Sequence, residues 1–467
     1  MEQYNKVSPE LIQKLTDILG VHNITTNAEK LKTYQTDEEA NSIYFHTPEV
    51  VVFPETTVQI AEIVKLANMY KVPITPRGGG SSLACGAIPI YNGIVLVMDR
   101  MNKIVEINED ALYAVVQAGV VTNDLQKAVK AHGLVYAGDP SSRESSQIGG
   151  NVATNAGGSR VIKYGTTRDQ IYQIQMVTPQ GEIVTVGKRL AKNTTGYALE
   201  KLMAGSEGTL GIITELTMKL RPVYPYHFDM LAIFKNLDQA LSIPNKLIKA
   251  GVTPTAIEFL DNKGIQSTER YLKTKLPYSH EEGLYIIVTI ESFYQDDLDN
   301  KVATADEICM AGGAIKSLVA DERIWSARRN IGEAARSDSL VFIAEDIVVP
   351  IDKIADLMHE LPKIEKKYGV ATTTSAHIGD GNIHVNALKM DIPIDTWNEK
   401  IVPQYHQDLY SLVYRLGGCL SGEHGIGAKK IKEMKTFTNP VELQMMKTIK
   451  QALDPNLILN PGKIFEY

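Results

Sequence analysis

Two distant segments of this 467-residue chain hold residues that could do chemistry together. One is His377-Ile-Gly-Asp-Gly-Asn-Ile-His384, and the other is Ser421-Gly-Glu-His-Gly-Ile-Gly427. Between them they offer His377, His384, Glu423 and His424. Borderline divalent cations favour imidazole plus carboxylate, and a catalytic centre keeps a position open for substrate. Such a set also spares an imidazole, whose ordinary pKa of ~6.5 suits proton transfer near neutrality. Side-chain alternation would aim His377 and His384 at one place if the Gly-Asp-Gly turn is a bulged or bent strand. Two histidines hydrogen-bonded in a buried turn satisfy the same spacing, so the residues alone leave both readings open.

Upstream lie three glycine-rich segments. The first is Arg77-Gly78-Gly79-Gly80-Ser81-Ser82. The second runs from Asp139-Pro140-Ser141-Ser142 to Ile148-Gly149-Gly150-Asn151-Val152-Ala153-Thr154-Asn155-Ala156-Gly157-Gly158. The third is Gly205-Ser206-Glu207-Gly208-Thr209-Leu210-Gly211. Glycine removes side-chain bulk and permits backbone N–H groups to converge on phosphate oxygens. The second segment reads as a long structureless stretch, which in a compact domain is usually functional. Tight turns and a flexible surface loop are the plain alternatives. No G-x-G-x-x-G or P-loop is present, so a conventional nucleotide site is not supported.

Bulk properties narrow the class. The length suggests two or three domains. A formal net charge of −7 argues against a nucleic-acid binder. No apolar run approaches the ~20 residues that span a bilayer. The start, Met-Glu-Gln-Tyr-Asn-Lys, lacks a signal-peptide pattern, which makes the cytoplasm the expected location. Cys85, Cys309 and Cys419 are scattered, with no CxxC or CxxxC, so neither an iron–sulfur cluster nor a structural zinc knot is expected.

The elements that must position these groups are partly readable. Ser8, Pro9 and Gly20 bracket a helix over 8–20. Val50-Val51-Val52-Phe53 is a buried-strand run, 58–70 has helical spacing, and Ile74-Thr75-Pro76 leads into the first glycine turn. Residues 94–120 alternate like antiparallel strands, and Thr122 is expected to cap a helix over 123–132. Strands are expected at 171–178, 183–186 and 212–216. A boundary is expected at Pro222–Pro225. Beyond it, 236–250, 323–337 and 352–368 read as helices, and 286–290 and 343–350 as strands.

The ordered set Pro76–Leu83, Asp139–Ser142, Ile148–Gly158, Lys163-Tyr164-Gly165 and Gly205–Glu215 resembles the FAD domain of the vanillyl-alcohol oxidase type. With His377–His384, Ser421–Gly427 and Asp454–Lys463, the chain resembles the flavin-linked 2-hydroxyacid dehydrogenases, which include D-lactate dehydrogenases and the catalytic subunit of glycolate oxidase. The resemblance implies an α+β fold. A two-subdomain FAD-binding domain (1–222) precedes an antiparallel-sheet substrate cap carrying the metal site (223–425). A C-terminal segment (426–467) returns to the FAD domain. The active site is expected between the flavin ring and the cap.

Roles follow by the same resemblance. FAD contacts are expected from Pro76, Arg77, Gly78, Gly79, Gly80, Ser81, Ser82, Pro140, Ser141, Ile148, Gly149, Gly150, Asn151, Thr154, Gly158, Glu207, Gly208, Ile212, Ile213 and Asn460. Ser81 stands where relatives with covalent flavin carry a histidine, which implies noncovalent FAD. His377, His384 and Glu423 are the implied ligands of a divalent metal, with zinc first and iron or manganese compatible. His424 is the implied base, and Arg328 the implied partner of the substrate carboxylate.

Gly332 and Ala344 stand where 2-hydroxyglutarate enzymes hold a second carboxylate, which favours a small monocarboxylate such as D-lactate. Electrons would leave through a separate partner, an electron-transferring flavoprotein first, since the chain has no cluster motif. A glycolate oxidase-type subunit with iron–sulfur partners is the alternative. A non-catalytic flavin relay and a non-redox metal hydrolase are further rivals.

Overall fold

The structure is a computed structural model that describes residues 4–39 and 41–466. Its architecture is α+β, and the chain divides into two compact units. The first holds the chain up to Gly157, then Thr166–Val223, then the chain from His424 onward. The second holds Gly158–Gly165 and Tyr224–Glu423.

The first unit contains two sheets. One is four-stranded, in the order Ile24–Thr25, Val50–Val52, Ile94–Val97, Ile74–Arg77. Its last three strands are parallel, so of the antiparallel strands expected over 94–120 only Ile104–Asn108 and Tyr113–Gln117 pair that way, while Ile94–Val97 belongs to this parallel set. Val50–Val52 and Ile94–Val97 are buried at every position, which explains their unbroken aliphatic sequence. Helix Thr57–Tyr70 begins with a capping box between Thr56 and Gln59 and buries Ile60, Ile63, Val64 and Ala67. The second sheet is antiparallel and five-stranded, in the order Ile104–Asn108, Tyr113–Gln117, Ile212–Lys219, Ile171–Val177, Ile183–Gly187. One hydrophobic cluster joins both sheets and includes Ile74, Leu96, Val116, Ile148, Ile174 and Leu459. The C-terminal segment closes the first sheet, where Leu459 bridges Ile74 in parallel.

Two local expectations are corrected here. Thr122 does not cap the next helix; it is the first residue of helix Thr122–Lys130, and its hydroxyl donates to the Ser146 carbonyl. Nor is the second glycine-rich segment structureless, because Ile148–Thr154 forms a helix. Packing overrides its weak propensity. Asn151 donates to the Thr122 hydroxyl at 2.7 Å, and Gly149 lies so close to Ala118 that an added Cβ would sit 2.6 Å from the Ala118 Cβ.

The second unit is built on a seven-stranded sheet. Its order is Lys316–Val319, Tyr226–Phe234, Leu284–Ser292, Ala256–Leu260, Ala371–His377, Asn382–Leu388, Phe342–Val348. Every pairing is antiparallel. Helices Asn262–Leu272, Glu322–Arg329 and Ile331–Asp338 pack on the face that presents Leu231, Ile233, Leu260, Tyr285 and Ile287. The helical run expected over 323–337 is thus two helices meeting at Asn330. Ala344 falls inside the edge strand Phe342–Val348, as the strand expected at 343–350 implies.

Candidate active site

In the second unit, one sheet face gathers the candidate residues. The His377–His384 segment is a hairpin between two strands, not one bulged or bent strand. Ser375 pairs with His384, and Ser375 shares a face with His377, so the two imidazoles project on the same side. Their rings stand edge to face, 5.2 Å between centroids. Glu258 pairs directly with His377 from the neighbouring strand, and Asp346 pairs with His384 from the other side. Four strands therefore place Glu258, His377, His384 and Asp346 on one face. Arg328 enters from the helix Glu322–Arg329 that packs on that face.

Glu423 completes the cluster. Its Oε1 lies 3.4 Å from His377 Nε2 and 3.2 Å from His384 Nε2. The three candidate ligand atoms lie within 4.8 Å of one another. Ligands about 2.0–2.2 Å from a tetrahedral zinc are roughly 3.3 Å apart, so these spacings fit such an ion. Asp346 fixes the segment that brings Glu423. Its carboxylate accepts from the Ser421 hydroxyl, from the Gly422 and Glu423 backbone N–H groups, and from Asn382 Nδ2 at 2.6 Å.

The second carboxylate is Glu258, fully buried. Its Oε1 accepts from His377 Nδ1 at 2.7 Å and its Oε2 from Arg328 Nε at 2.5 Å. Arg328 is itself buried. Among the described residues no hydrogen bond takes up its Nη1, which leaves donors for another anion. Burial opposes ionisation of Glu258, but Arg328 and His377 outweigh it and lower its pKa. Burial likewise opposes ionisation of Glu423, yet the His377 charge and the hydrogen bonds of both imidazoles hold its pKa well below the usual value. Burial disfavours charge on His377, but Glu258 and Glu423 prevail and push its pKa up to about 10. The raised pKa of His377 and the lowered pKa values of Glu258 and Glu423 make a buried, charge-paired set in which a cation at the His377 and Glu423 atoms would replace the imidazole proton.

Glu258, Asp346 and Asn382 were missed from sequence. Ala256-Ile257-Glu258-Phe259-Leu260 is buried throughout, and a lone acid in such a run must find a partner. That was the available signal. Glu423 is the last residue of the second unit, and His424 is the first of the segment that rejoins the first unit.

In the first unit, most of the expected cofactor residues converge. Pro76 and Arg77 end a parallel strand, and Gly78–Ser82 form the turn beyond it. An added Cβ on Gly78 would lie 3.8 Å from the Gly150 Cα, and one on Gly79 would lie 2.1 Å from the Ser145 carbonyl. The turn thus abuts the start of helix Ile148–Thr154. Gly208 adjoins Pro76 and Asn460, and Asn460 Nδ2 donates to the Glu207 carbonyl at 2.7 Å. Ile212 and Ile213 open the following strand. Pro140 is buried, whereas Ser141 is exposed, and no hydrogen bond ties it to this group among the described residues. Gly158 falls in the second unit. Several side chains have structural duties. Ser82 Oγ accepts from the Ala84 and Gly86 N–H groups, Thr154 Oγ1 donates to the Gly150 carbonyl, and the Glu207 carboxylate accepts from the Ile426 and Gly427 N–H groups.

A phosphate-bearing cofactor fits what remains. Among the described residues no N–H of Gly78–Ser82 donates to protein. A Cβ on Gly150 would meet nothing within 4 Å. Gln147 Oε1 and Asn460 Oδ1 are buried acceptors without a partner, which N–H or hydroxyl donors elsewhere on such a cofactor would satisfy.

Comparison with known proteins decides the family. Residues 48–187 match the family described as "FAD binding domain", and residues 229–464 match "FAD linked oxidases, C-terminal domain". The chain belongs to the FAD-linked oxidases. It is a flavoprotein oxidoreductase whose first unit carries the FAD-binding domain. It is 35% identical to a D-lactate dehydrogenase of Anaerostipes hadrus, over 99% of this chain and 98% of that protein. It is also 35% identical to a glycolate oxidase subunit of Bacillus subtilis, over 98% of this chain and 97% of that protein. Among solved structures, p-cresol methylhydroxylase shares the fold at a TM-score of 0.81, with 17% identity over 97% of this chain and 96% of that one. This FAD-linked oxidase therefore has the vanillyl-alcohol oxidase-type architecture. Among the described residues, no helix is long and apolar enough to cross a membrane.

Proposed function

We propose that this FAD-linked oxidase oxidises a small 2-hydroxy monocarboxylate, D-lactate first, to the 2-oxo acid. The observation that carries the reading is the single sheet face joining His377, His384 and Glu423 to an arginine with free donors. The two 35% identical relatives support the substrate class, since their names specify D-lactate dehydrogenase and glycolate oxidase.

FAD would be held noncovalently by the turn at Arg77–Ser82, the helix at Ile148–Thr154, the Glu207–Ile213 segment and Asn460. When bound, it supplies a two-electron acceptor for the α-hydrogen. A divalent metal on His377, His384 and Glu423, zinc first, would supply Lewis acidity toward the substrate hydroxyl. The chain's own groups do the rest. The Arg328 fork receives the substrate carboxylate and fixes the orientation of the α-carbon. His424, adjacent in sequence to Glu423, takes the hydroxyl proton. The substrate thus loses one proton and one hydride and leaves as the 2-oxo acid.

The electrons then pass to a separate protein, an electron-transferring flavoprotein. The Bacillus relative, a glycolate oxidase subunit, favours a second reading, a glycolate oxidase-type subunit, for which the family resemblance implies iron–sulfur partners. A flavin relay that does not itself turn over substrate would have no use for Arg328 and His424. Turnover of D-lactate, L-lactate, glycolate and 2-hydroxyglutarate with an artificial acceptor tests the assignment. D-Lactate should be fastest and 2-hydroxyglutarate slowest, because Gly332 and Ala344 supply no group for a second carboxylate. Equal turnover of lactate and 2-hydroxyglutarate would contradict the pocket reading, and preference for glycolate would favour the second one.

A further inference from the structure

We propose that Glu258 is a positioning residue that couples metal binding to recognition of the substrate carboxylate. The inference rests on the function proposed above and adds a residue to it. Glu258 is fully buried, yet both carboxylate oxygens are engaged by functional groups. One receives His377 Nδ1 at 2.7 Å and the other receives Arg328 Nε at 2.5 Å.

Each contact has a separate consequence. With Nδ1–H donated to Glu258, Nε2 is the His377 atom that faces Glu423 and His384, and its lone pair is the one a bound metal would use. The same carboxylate fixes the Nε edge of Arg328, so the terminal nitrogens are presented in one orientation. Arg328 Nη2 lies only 3.3 Å from His377 Nδ1. A guanidinium N–H and a protonated ring nitrogen repel at that distance. The anion bonded to both makes the arrangement tenable. A buried acid with no solvent path serves no surface purpose, and removing it leaves a buried guanidinium uncompensated.

Metal affinity is the deciding measurement, because it is read without turnover. The FAD-loaded protein is stripped with a chelator, and zinc is titrated in competition with a chromophoric chelator. Wild type, Glu258→Gln and Glu258→Asp are compared. Loss of a carboxylate behind a histidine ligand typically weakens metal binding 10–100-fold. Glu258→Gln should show that weakening. At saturating zinc it should also raise KM for the hydroxy acid more than it lowers kcat. Glu258→Asp should recover part of both. Flavin content and the thermal midpoint report folding. If Glu258→Gln does not fold, Glu258→Gln with Arg328→Met removes both buried charges and should still bind zinc weakly. A folded variant with wild-type zinc affinity would overturn the role of Glu258 and leave the proposed function standing. Wild type that takes up no divalent metal would overturn both.

Discussion

The two units solve their binding problems with different parts. In the first, the candidate cofactor site is made of main chain: a turn with unused N–H groups, an open flank at Gly150, and a Cβ-intolerant approach at Gly79. In the second, the site is made of side chains: two histidines, three carboxylates and an arginine contributed by six separate elements. A site of backbone can be broken by adding atoms. A site of buried charges can be broken by removing one. The first kind writes itself into sequence as glycine. The second is scattered, and its members mean little until the sheet brings them together.

The widest separation of the two regions should come from His424→Ala. Loss of a positioned general base costs typically 10²–10⁴-fold in turnover. Steady-state kinetics should show a fall of that size while bound FAD and zinc stay at wild-type stoichiometry. Unchanged turnover would remove His424 as the base. Next in size is Arg328→Lys, which replaces a fork with a point charge. A hydrogen bond to a charged group contributes ~1.5–3 kcal/mol, so KM should rise on the order of 10–150-fold.

The reverse experiment adds bulk to the backbone site. Gly150→Val places methyl groups in open space, so the thermal midpoint of the apo protein should change little. FAD affinity, read by fluorescence titration, should fall at least ~10-fold, while zinc binding in the second unit is unaffected. Wild-type FAD affinity would show that the flank of Gly150 is not part of the cradle. The smallest effect is expected at Thr122→Val. Its hydroxyl bonds Ser146 and receives Asn151 across the base of helix Ile148–Thr154. Leaving those buried groups unpaired should cost ~1–3 kcal/mol, seen as a lower urea midpoint with modest loss of FAD.

Legibility followed the same division. The glycine turn at Arg77–Ser82 was visible because few structural reasons tolerate that composition. The aliphatic run at Val50–Val52 marked a buried strand, but Ile94–Val97, read as one of an antiparallel set, is a parallel strand buried at every position. The helix at Ile148–Thr154 was not visible, since Ile-Gly-Gly-Asn-Val-Ala-Thr has poor intrinsic propensity and forms through its fit to Ala118 and Thr122. His377, His384 and Glu423 stood out by residue type, but the hairpin that aims the histidines did not. Glu258 and Asp346 were legible only as acids within buried strands, with nothing to say which partners they meet. Arg328 was legible only through the family resemblance, because the face of its helix cannot be assigned without the sheet beneath it.

The most direct test of the central claim is an anaerobic visible spectrum of the purified holoenzyme, recorded before and after D-lactate, with L-lactate, glycolate and 2-hydroxyglutarate as comparisons. A 2-hydroxyacid dehydrogenase should lose its oxidised flavin absorbance on addition of D-lactate, without any partner protein. A yellow protein, zinc-loaded and unbleached by all four acids, would contradict the account.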